Sequence, residues 1–251
     1  MSFWLTVKRV IREADIILLV LDSRMPVLSM NKEIEEKVEL YGKKMFLVFN
    51  KIDLITEKQL NSLKQANEDA FFVSGIKNIG IKNMKKDLFI FAKRNGIKNI
   101  KLGVVGYPNV GKSSIINAIS KRARAPISSV AGTTKGIQWV KAGKLKFLDS
   151  PGVIPFEDKN SKLGILGAKN PEKLKNSYQV AYKLIKMFLE EDKPALEKYY
   201  NLKFNDNAEE AFISIGKKRG FLSKGGIVDE TKTAINIIRD WQKGKIRIYI
   251  N

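Results

Sequence analysis

The chain contains no cysteine and no histidine. The first absence excludes disulfides and thiolate metal sites. The second removes the commonest general base and the commonest metal ligand, so any catalysis has to run on carboxylates, hydroxyls, cations and backbone groups. Long apolar runs are missing too. The stretch Ile16–Leu21 is apolar over the length of a strand, and no run reaches the span of a bilayer. The N-terminal residues turn basic too soon for a signal peptide, which makes a cytoplasmic location the expectation. Acidic residues are scarce: 26 Asp and Glu stand against 46 Lys and Arg, a formal net charge of +20. Solvated surface lysines explain part of that excess. The rest implies a polyanionic partner, nucleic acid or an anionic membrane surface. A lipidation signal and a strongly amphipathic anchor are both lacking, so a membrane ranks last and no membrane partner is expected.

What is present supports a real core, since 44% of the 251 residues are hydrophobic. Residues 3–14 carry a helical apolar face, and Ile16–Leu21 is the continuous run of a strand buried in a parallel sheet. A helix is expected from the Asn31 cap to Tyr41, with Gly42 ending it. Met45–Phe49 is the next strand. A further helix starts at Thr56, with Glu57 and Gln59 in its first turn. Phe71–Val73 reads as a short strand, 81–94 as a helix, Lys101–Val105 as a strand and Ser114–Ser120 as a helix. Ile137–Lys141 and Leu145–Leu148 flank a hairpin turn. This alternation predicts an α/β fold with a doubly wound, mostly parallel sheet. Beyond about residue 165 the strand signals stop. Asn170 and Pro171 predict the start of a helix with Leu174, Tyr178, Ala181, Tyr182, Ile185 and Leu189 on its buried face. Others are expected from Asp206 to Gly220 and from Asp229 to Gly244, the last burying Ala234, Ile237, Ile238 and Trp241. Two domains follow: 1–165, α/β, and 170–251, small and all-helical.

The stretch Gly106–Ser114 fits glycine, four residues, then Gly111, Lys112 and Ser113, between a strand and a helix. That is the pattern of a loop wrapped around nucleotide phosphates. Its candidate nucleotide-binding residues are Asn109, Val110, Gly111, Lys112, Ser113 and Ser114. Backbone N–H groups at a helix start attract phosphate. Lys112 would reach the β- and γ-phosphates, and the Ser113 hydroxyl would hold Mg²⁺. Asn50, Lys51, Ile52 and Asp53, directly after a strand, form a guanine-reading loop. The Asp53 carboxylate would accept from both N1–H and N2–H of guanine, donors that adenine does not offer in that arrangement. Ser74 and Gly75 would support the base through their backbone. Asp149 would hold Mg²⁺ through water, and the Gly152 N–H would touch the γ-phosphate. Thr134 would add a hydroxyl ligand to Mg²⁺, with Thr133 as the competing candidate. These two segments act as switches, ordered by the γ-phosphate.

Order along the chain is informative. The guanine loop precedes the phosphate loop, and the switches come last, so the domain is circularly permuted relative to ordinary GTPases. In this order Asp22–Pro26, Asn50–Asp53, Gly106–Ser114, Gly132–Thr134 and Asp149–Gly152 resemble the circularly permuted GTPases of the YlqF/RbgA type, which act in large-ribosomal-subunit assembly. The tail with Lys218–Gly220, Lys224–Gly226, Asp229 and Arg239–Lys245 is similar to that family's C-terminal helical domain. The resemblance implies a circularly permuted P-loop GTPase domain that turns GTP into GDP and phosphate.

Two features depart from the usual pattern. The family often places a histidine near its N-terminus that aids hydrolysis, and this chain has none. Val153 stands where many GTPases keep a water-positioning glutamine. Asn109 resembles the residue that coordinates potassium in related K⁺-activated GTPases. The catalytic set implied is therefore Lys112, Thr134, Gly152 and Asn109, with Mg²⁺ and K⁺ as cofactors and a slow intrinsic rate raised by K⁺ and by the docked partner. Basic clusters at 121–124, 217–219 and 243–247 jointly suggest rRNA binding, within the large ribosomal subunit or its precursor, by a monomer. The alternative is an RNA-binding module in which nucleotide is structural and turnover incidental.

Overall fold

The structure, a computed structural model, describes residues 3–120, 138–150, 152, 154 and 160–248. Helix α1 (Phe3–Glu13) leads into strand β1 (Ile16–Asp22). A short turn of helix, α2 (Pro26–Ser29), precedes α3 (Lys32–Leu40) and β2 (Lys44–Asn50). Then come α4 (Glu57–Ala66), β3 (Phe71–Phe72), α5 (Ile81–Arg94), β4 (Ile100–Val105) and α6 (Lys112–Ser120). The hairpin β5 (Gln138–Ala142) and β6 (Leu145–Asp149) completes the sheet. From there the chain is helical: α7 (Asn160–Ile165), α8 (Ser177–Glu191), α9 (Lys193–Tyr200), α10 (Ala208–Lys218) and α11 (Glu230–Gln242).

Two expected helix starts are capped by the residues that sequence reasoning chose. The Asn31 side chain accepts from the Ile34 N–H at 3.2 Å. Thr56 accepts from the Gln59 N–H at 3.1 Å while the Gln59 side chain accepts from the Thr56 N–H at 2.8 Å, a reciprocal cap.

The sheet order is β3-β2-β1-β4-β6-β5, parallel throughout except for the antiparallel β5–β6 pair. All seven residues of β1 are buried. Alternation sends Ile16, Leu18 and Val20 to one face, where they meet Met84 and Leu88 of α5 and Ile115 of α6. Ile17, Leu19 and Leu21 go to the other, against Val7 and Val10 of α1 and Ile34 of α3. A strand covered on both sides has to read as an unbroken apolar run, which is why the sequence signal there is so clear.

A separate core holds the C-terminal helices together, built on Leu184, Phe188, Leu196, Phe212, Ile237 and Trp241. Here two expectations need correction. Pro171–Lys173 forms only a short 3-10 turn, and α8 begins after a second cap, Asn176, which accepts from the Gln179 N–H at 3.1 Å. The buried stripe of α8 is Val180, Ala181, Leu184, Ile185 and Phe188. Tyr178 and Tyr182 lie at the rim instead, where a ring can pack and its hydroxyl stay near water; Tyr178 stacks edge-on against Phe212 at 4.9 Å. Helices α7 and α9 carry no expectation from the sequence. Among the described residues, no helix is long and apolar enough to cross a membrane.

Candidate functional site

Four loops meet at the C-terminal edge of the sheet. They follow β1 at Asp22, β2 at Asn50, β3 at Ser74 and β4 at Gly106. Strand β4 lies between β1 and β6, so connections run to opposite sides of the sheet at this point. Such a switch point opens the crevice in which α/β sheets bind ligands.

The phosphate loop bends sharply between β4 and α6. Gly106, Asn109 and Gly111 all take positive φ, at 139°, 60° and 99°. At Gly111 an added Cβ would lie 2.1 Å from the Asn50 amide nitrogen, so this position has room only for glycine. The buried Lys112 ammonium donates to the Gly106 and Tyr107 carbonyls at 3.1 and 2.7 Å. It thus lies against the loop. Gly152 sits beside the same loop: a Cβ there would fall 2.3 Å from the Pro108 nitrogen.

Asn50 braces three loops at once. Its amide nitrogen donates to the Val110 carbonyl at 2.8 Å, and its amide oxygen accepts from the Gly75 N–H at 3.0 Å. Gly75 is needed for a second reason, because a Cβ would stand 2.9 Å from the backbone of Ser114 and Ile115 in the first turn of α6. Lys51 takes a left-handed φ of 66°, which turns the chain into the 3-10 turn Ile52–Leu54 that carries Asp53.

The Lys51 ammonium meets a buried charge cluster. The Asp22 carboxylate accepts from Lys51 at 2.7 Å and from two nitrogens of Arg24, Nε at 3.0 Å and Nη2 at 2.8 Å. Burial alone would raise the Asp22 pKa, but the two cations and their hydrogen bonds outweigh it and hold the carboxyl well below the usual range. In the sequence Asp22 and Arg24 stand out only as part of a family motif. The available signal was an acid closing a wholly apolar strand with Arg two residues on, since a buried charge needs a partner.

From these loops, contacts run to the C-terminal helices. Arg24 donates through Nη1 to the Trp241 carbonyl at 2.7 Å, and its guanidinium lies 4.4 Å from the Trp241 ring centroid. Arg247 donates to the Asp53 carbonyl at 3.1 Å, and Gly244 packs so tightly on Leu54 that a Cβ would come within 2.9 Å of it. The Asn109 amide donates to the Gly167 carbonyl at 2.7 Å. Lys162 of α7 donates to the Tyr107 hydroxyl at 2.8 Å. Trp241 and Gln242 in turn donate to the Ile165 and Gly164 carbonyls at 2.8 and 2.9 Å.

Of the residues expected to bind nucleotide, Asn50, Lys51, Ile52, Asp53, Ser74, Gly75, Asn109, Val110, Gly111, Lys112, Ser113, Ser114 and Gly152 therefore line one edge of the sheet. Thr133, Thr134, Val153 and the basic turn 121–126 lie outside the described residues, as does the side chain of Asp149. Among the described residues no three acidic side chains gather around a possible metal. Ser113, one residue beyond Lys112 in the first turn of α6, is a hydroxyl donor of the kind Mg²⁺ takes when phosphates supply further oxygens.

The sheet order and the gathered loops define the class: a circularly permuted P-loop GTPase fold carrying a helical unit. The family model for 50S ribosome-binding GTPases matches residues 101–217. The chain is 41% identical over 245 residues to an uncharacterized GTP-binding protein of Methanocaldococcus jannaschii, covering 97% of this chain and 65% of that one. It is 32% identical over 246 residues to ribosome biogenesis GTPase A of Bacillus pumilus, covering 90% and 86%. The GDP-bound structure of YlqF from T. maritima superposes with a TM-score of 0.64 at 22% identity, covering 98% of this chain and 97% of that one, a likeness of fold. The chain belongs to the ribosome biogenesis GTPase A family, the YlqF/RbgA type. It spans 49% to 65% of the length of several longer archaeal and eukaryotic relatives.

Proposed function

We propose that the chain binds and hydrolyses GTP and acts in large-ribosomal-subunit assembly by binding rRNA. The observation that carries this is Asn50, whose one side chain ties the loop before Asp53 to both the phosphate loop and Gly75. A chance helix-capping loop has no reason to brace a phosphate loop 60 residues away. A guanine-reading loop does, because the base and phosphates of one nucleotide must be held at a fixed separation.

In this reading, residues 1–165 form the GTPase domain and 170–251 the RNA-binding domain of a monomer acting in the cytoplasm. The Asp53 carboxylate accepts from the guanine edge, Ser74 and Gly75 frame the base, and Lys112 with the backbone of Asn109–Ser114 holds the phosphates. Ser113, Thr134 and Asp149 would hold Mg²⁺, and the Asn109 side-chain oxygen K⁺. When bound, these cations offset the charge that develops on the phosphoryl oxygens. The Gly152 N–H binds the γ-phosphate and so reports its presence. Direct contacts from the base loop to Arg247 and from the phosphate loop to Gly167, with Arg24 of the loop after β1 on Trp241, support a coupling of nucleotide state to the helical domain.

Steady-state GTP hydrolysis, measured in K⁺ and in Na⁺ with and without large ribosomal subunits, tests this. A slow rate that rises with K⁺ and with subunits is expected. Equal rates in the two salts would remove Asn109 as a potassium ligand. Rates indifferent to subunits would leave an RNA-binding module with incidental turnover.

A further inference from the structure

Away from the nucleotide loops, the edge of the sheet carries an unusual row of charge. Lys101 of β4 pairs in register with Lys146 of β6, and Lys146 pairs with Lys141 of β5. Paired residues on neighbouring strands project from the same face, with the strands only about 5 Å apart. All three lysines are exposed, as is Lys144 in the turn between β5 and β6. Like charges placed directly opposite one another destabilise a sheet. At the start of β4 the Lys101 backbone N–H donates to the Asp15 carboxylate at 2.8 Å.

The same face holds an aromatic ring. Trp139 lies two residues before Lys141 on β5, and it is 46% exposed. It borders a groove of 240 Å³ lined with Lys101, Val140, Lys141 and Lys146. Helix α1 covers this face at Gly103 of β4, where a Cβ would touch Val10 and Ala14. Among the described residues, the groove therefore lies beyond the cover of that helix, at the β5 edge of the sheet. The opposite face of β5 is closed by the core, where Val140 is buried with Phe147.

We propose that this face of β4, β6 and β5 is a second RNA-binding site, which holds a single-stranded stretch of ribosomal RNA. The inference rests on the rRNA-binding reading above and adds a site on the nucleotide domain itself. One base stacks on the indole of Trp139, and the flanking phosphates lie along Lys101, Lys146 and Lys141. A single strand fits because its unstacked bases can reach the ring, whereas a duplex keeps its bases inside. The site adjoins the strand that ends at Asp149, so bound RNA and the nucleotide loops share one sheet.

The test uses the full chain with a labelled single-stranded RNA of about 12 nucleotides and a duplex of equal length, followed by fluorescence anisotropy at several salt concentrations. Trp139→Ala is expected to weaken single-strand binding about tenfold and leave duplex binding within twofold. Replacing Lys101, Lys141 and Lys146 together by Gln should flatten the salt dependence by about two units of slope. Thermal melting of both variants shows that they fold. Unchanged single-strand affinity in Trp139→Ala overturns the site while wild-type RNA binding stands. Displacement of the RNA by a polyglutamate peptide whose binding also needs Trp139 overturns it in favour of an acidic protein. Failure of the wild-type chain to bind any RNA refutes the rRNA reading as well.

Discussion

The Arg24 guanidinium lies 4.4 Å from the centroid of the Trp241 ring and donates to the Trp241 carbonyl at 2.7 Å. The same guanidinium grips the Asp22 carboxylate through two nitrogens. One side chain thus joins the end of the central strand to the last long helix, 217 residues on. Its planar fork serves both partners, which a lysine cannot do. Arg24→Lys should therefore lower stability by about 2 kcal/mol despite keeping the charge, and Arg24→Ala by about 3–5 kcal/mol. Urea unfolding gives both values. A double-mutant cycle with Trp241→Phe should show coupling of about 0.5 kcal/mol or more.

Asp22 makes stability depend on acid. Its carboxyl titrates below the usual range in the folded chain, because Arg24 and Lys51 outweigh the effect of its burial. A depressed folded pKa contributes stability that is fully present above the unfolded pKa of about 4 and fades as pH falls through the folded value. Asp22→Asn should be strongly destabilising at pH 7, since it leaves two cations without their buried anion. The gap between variant and wild type should narrow steadily below about pH 4. Unfolding midpoints from pH 7 down to pH 3 reveal whether it does.

Asn50→Ala removes the brace between the loops. The Val110 carbonyl and the Gly75 N–H lose their partner, at a cost of about 1–3 kcal/mol for each group left buried. Guanine-nucleotide affinity is expected to fall by about 100-fold, since base and phosphates are no longer held in one geometry. Titration calorimetry with GDP measures it. Retained affinity would mean that Asn50 is structural only.

Much of this was legible in the sequence, for identifiable reasons. β1 announces itself because both its faces are covered, so seven buried residues run together. The Asn31 and Thr56 caps are local chemistry and were readable as such. The order of the loops along the chain reveals the permutation. Hidden from the sequence were features that depend on distant packing. Nothing near Asn50 says that its amide spans to Val110, and nothing near Arg24 points to Trp241. The buried face of α8 differs from the expected one because tyrosines count as apolar in a periodicity, while Tyr178 and Tyr182 stay at the rim. α9 is hard to separate in the sequence although Asp192 caps it, accepting from the Ala195 N–H at 3.1 Å with Pro194 in the first turn, because only one residue separates it from α8.

Arg247→Ala probes the bond from the tail to the guanine loop. It removes the donor to the Asp53 carbonyl without touching the Asp53 carboxylate. GTP affinity should fall by about three- to tenfold, in line with one lost hydrogen bond, while phosphate-only ligands such as triphosphate bind as before. A loss shared equally by triphosphate would point to general unfolding of the loop edge instead.

The most direct measurement concerns Asp53. A carboxylate there accepts from two donors on guanine, and an amide in its place presents a donor that repels one of them. Calorimetric titration of wild type and Asp53→Asn with GTP, xanthosine triphosphate and ATP should show wild type binding GTP alone. The variant should lose GTP affinity by about 100-fold or more and gain xanthosine triphosphate, whose oxygen accepts from the new amide. Unchanged GTP affinity in the variant, or ATP bound as well as GTP by the wild type, would contradict the reading of Asn50–Asp53 as the guanine loop of a permuted GTPase.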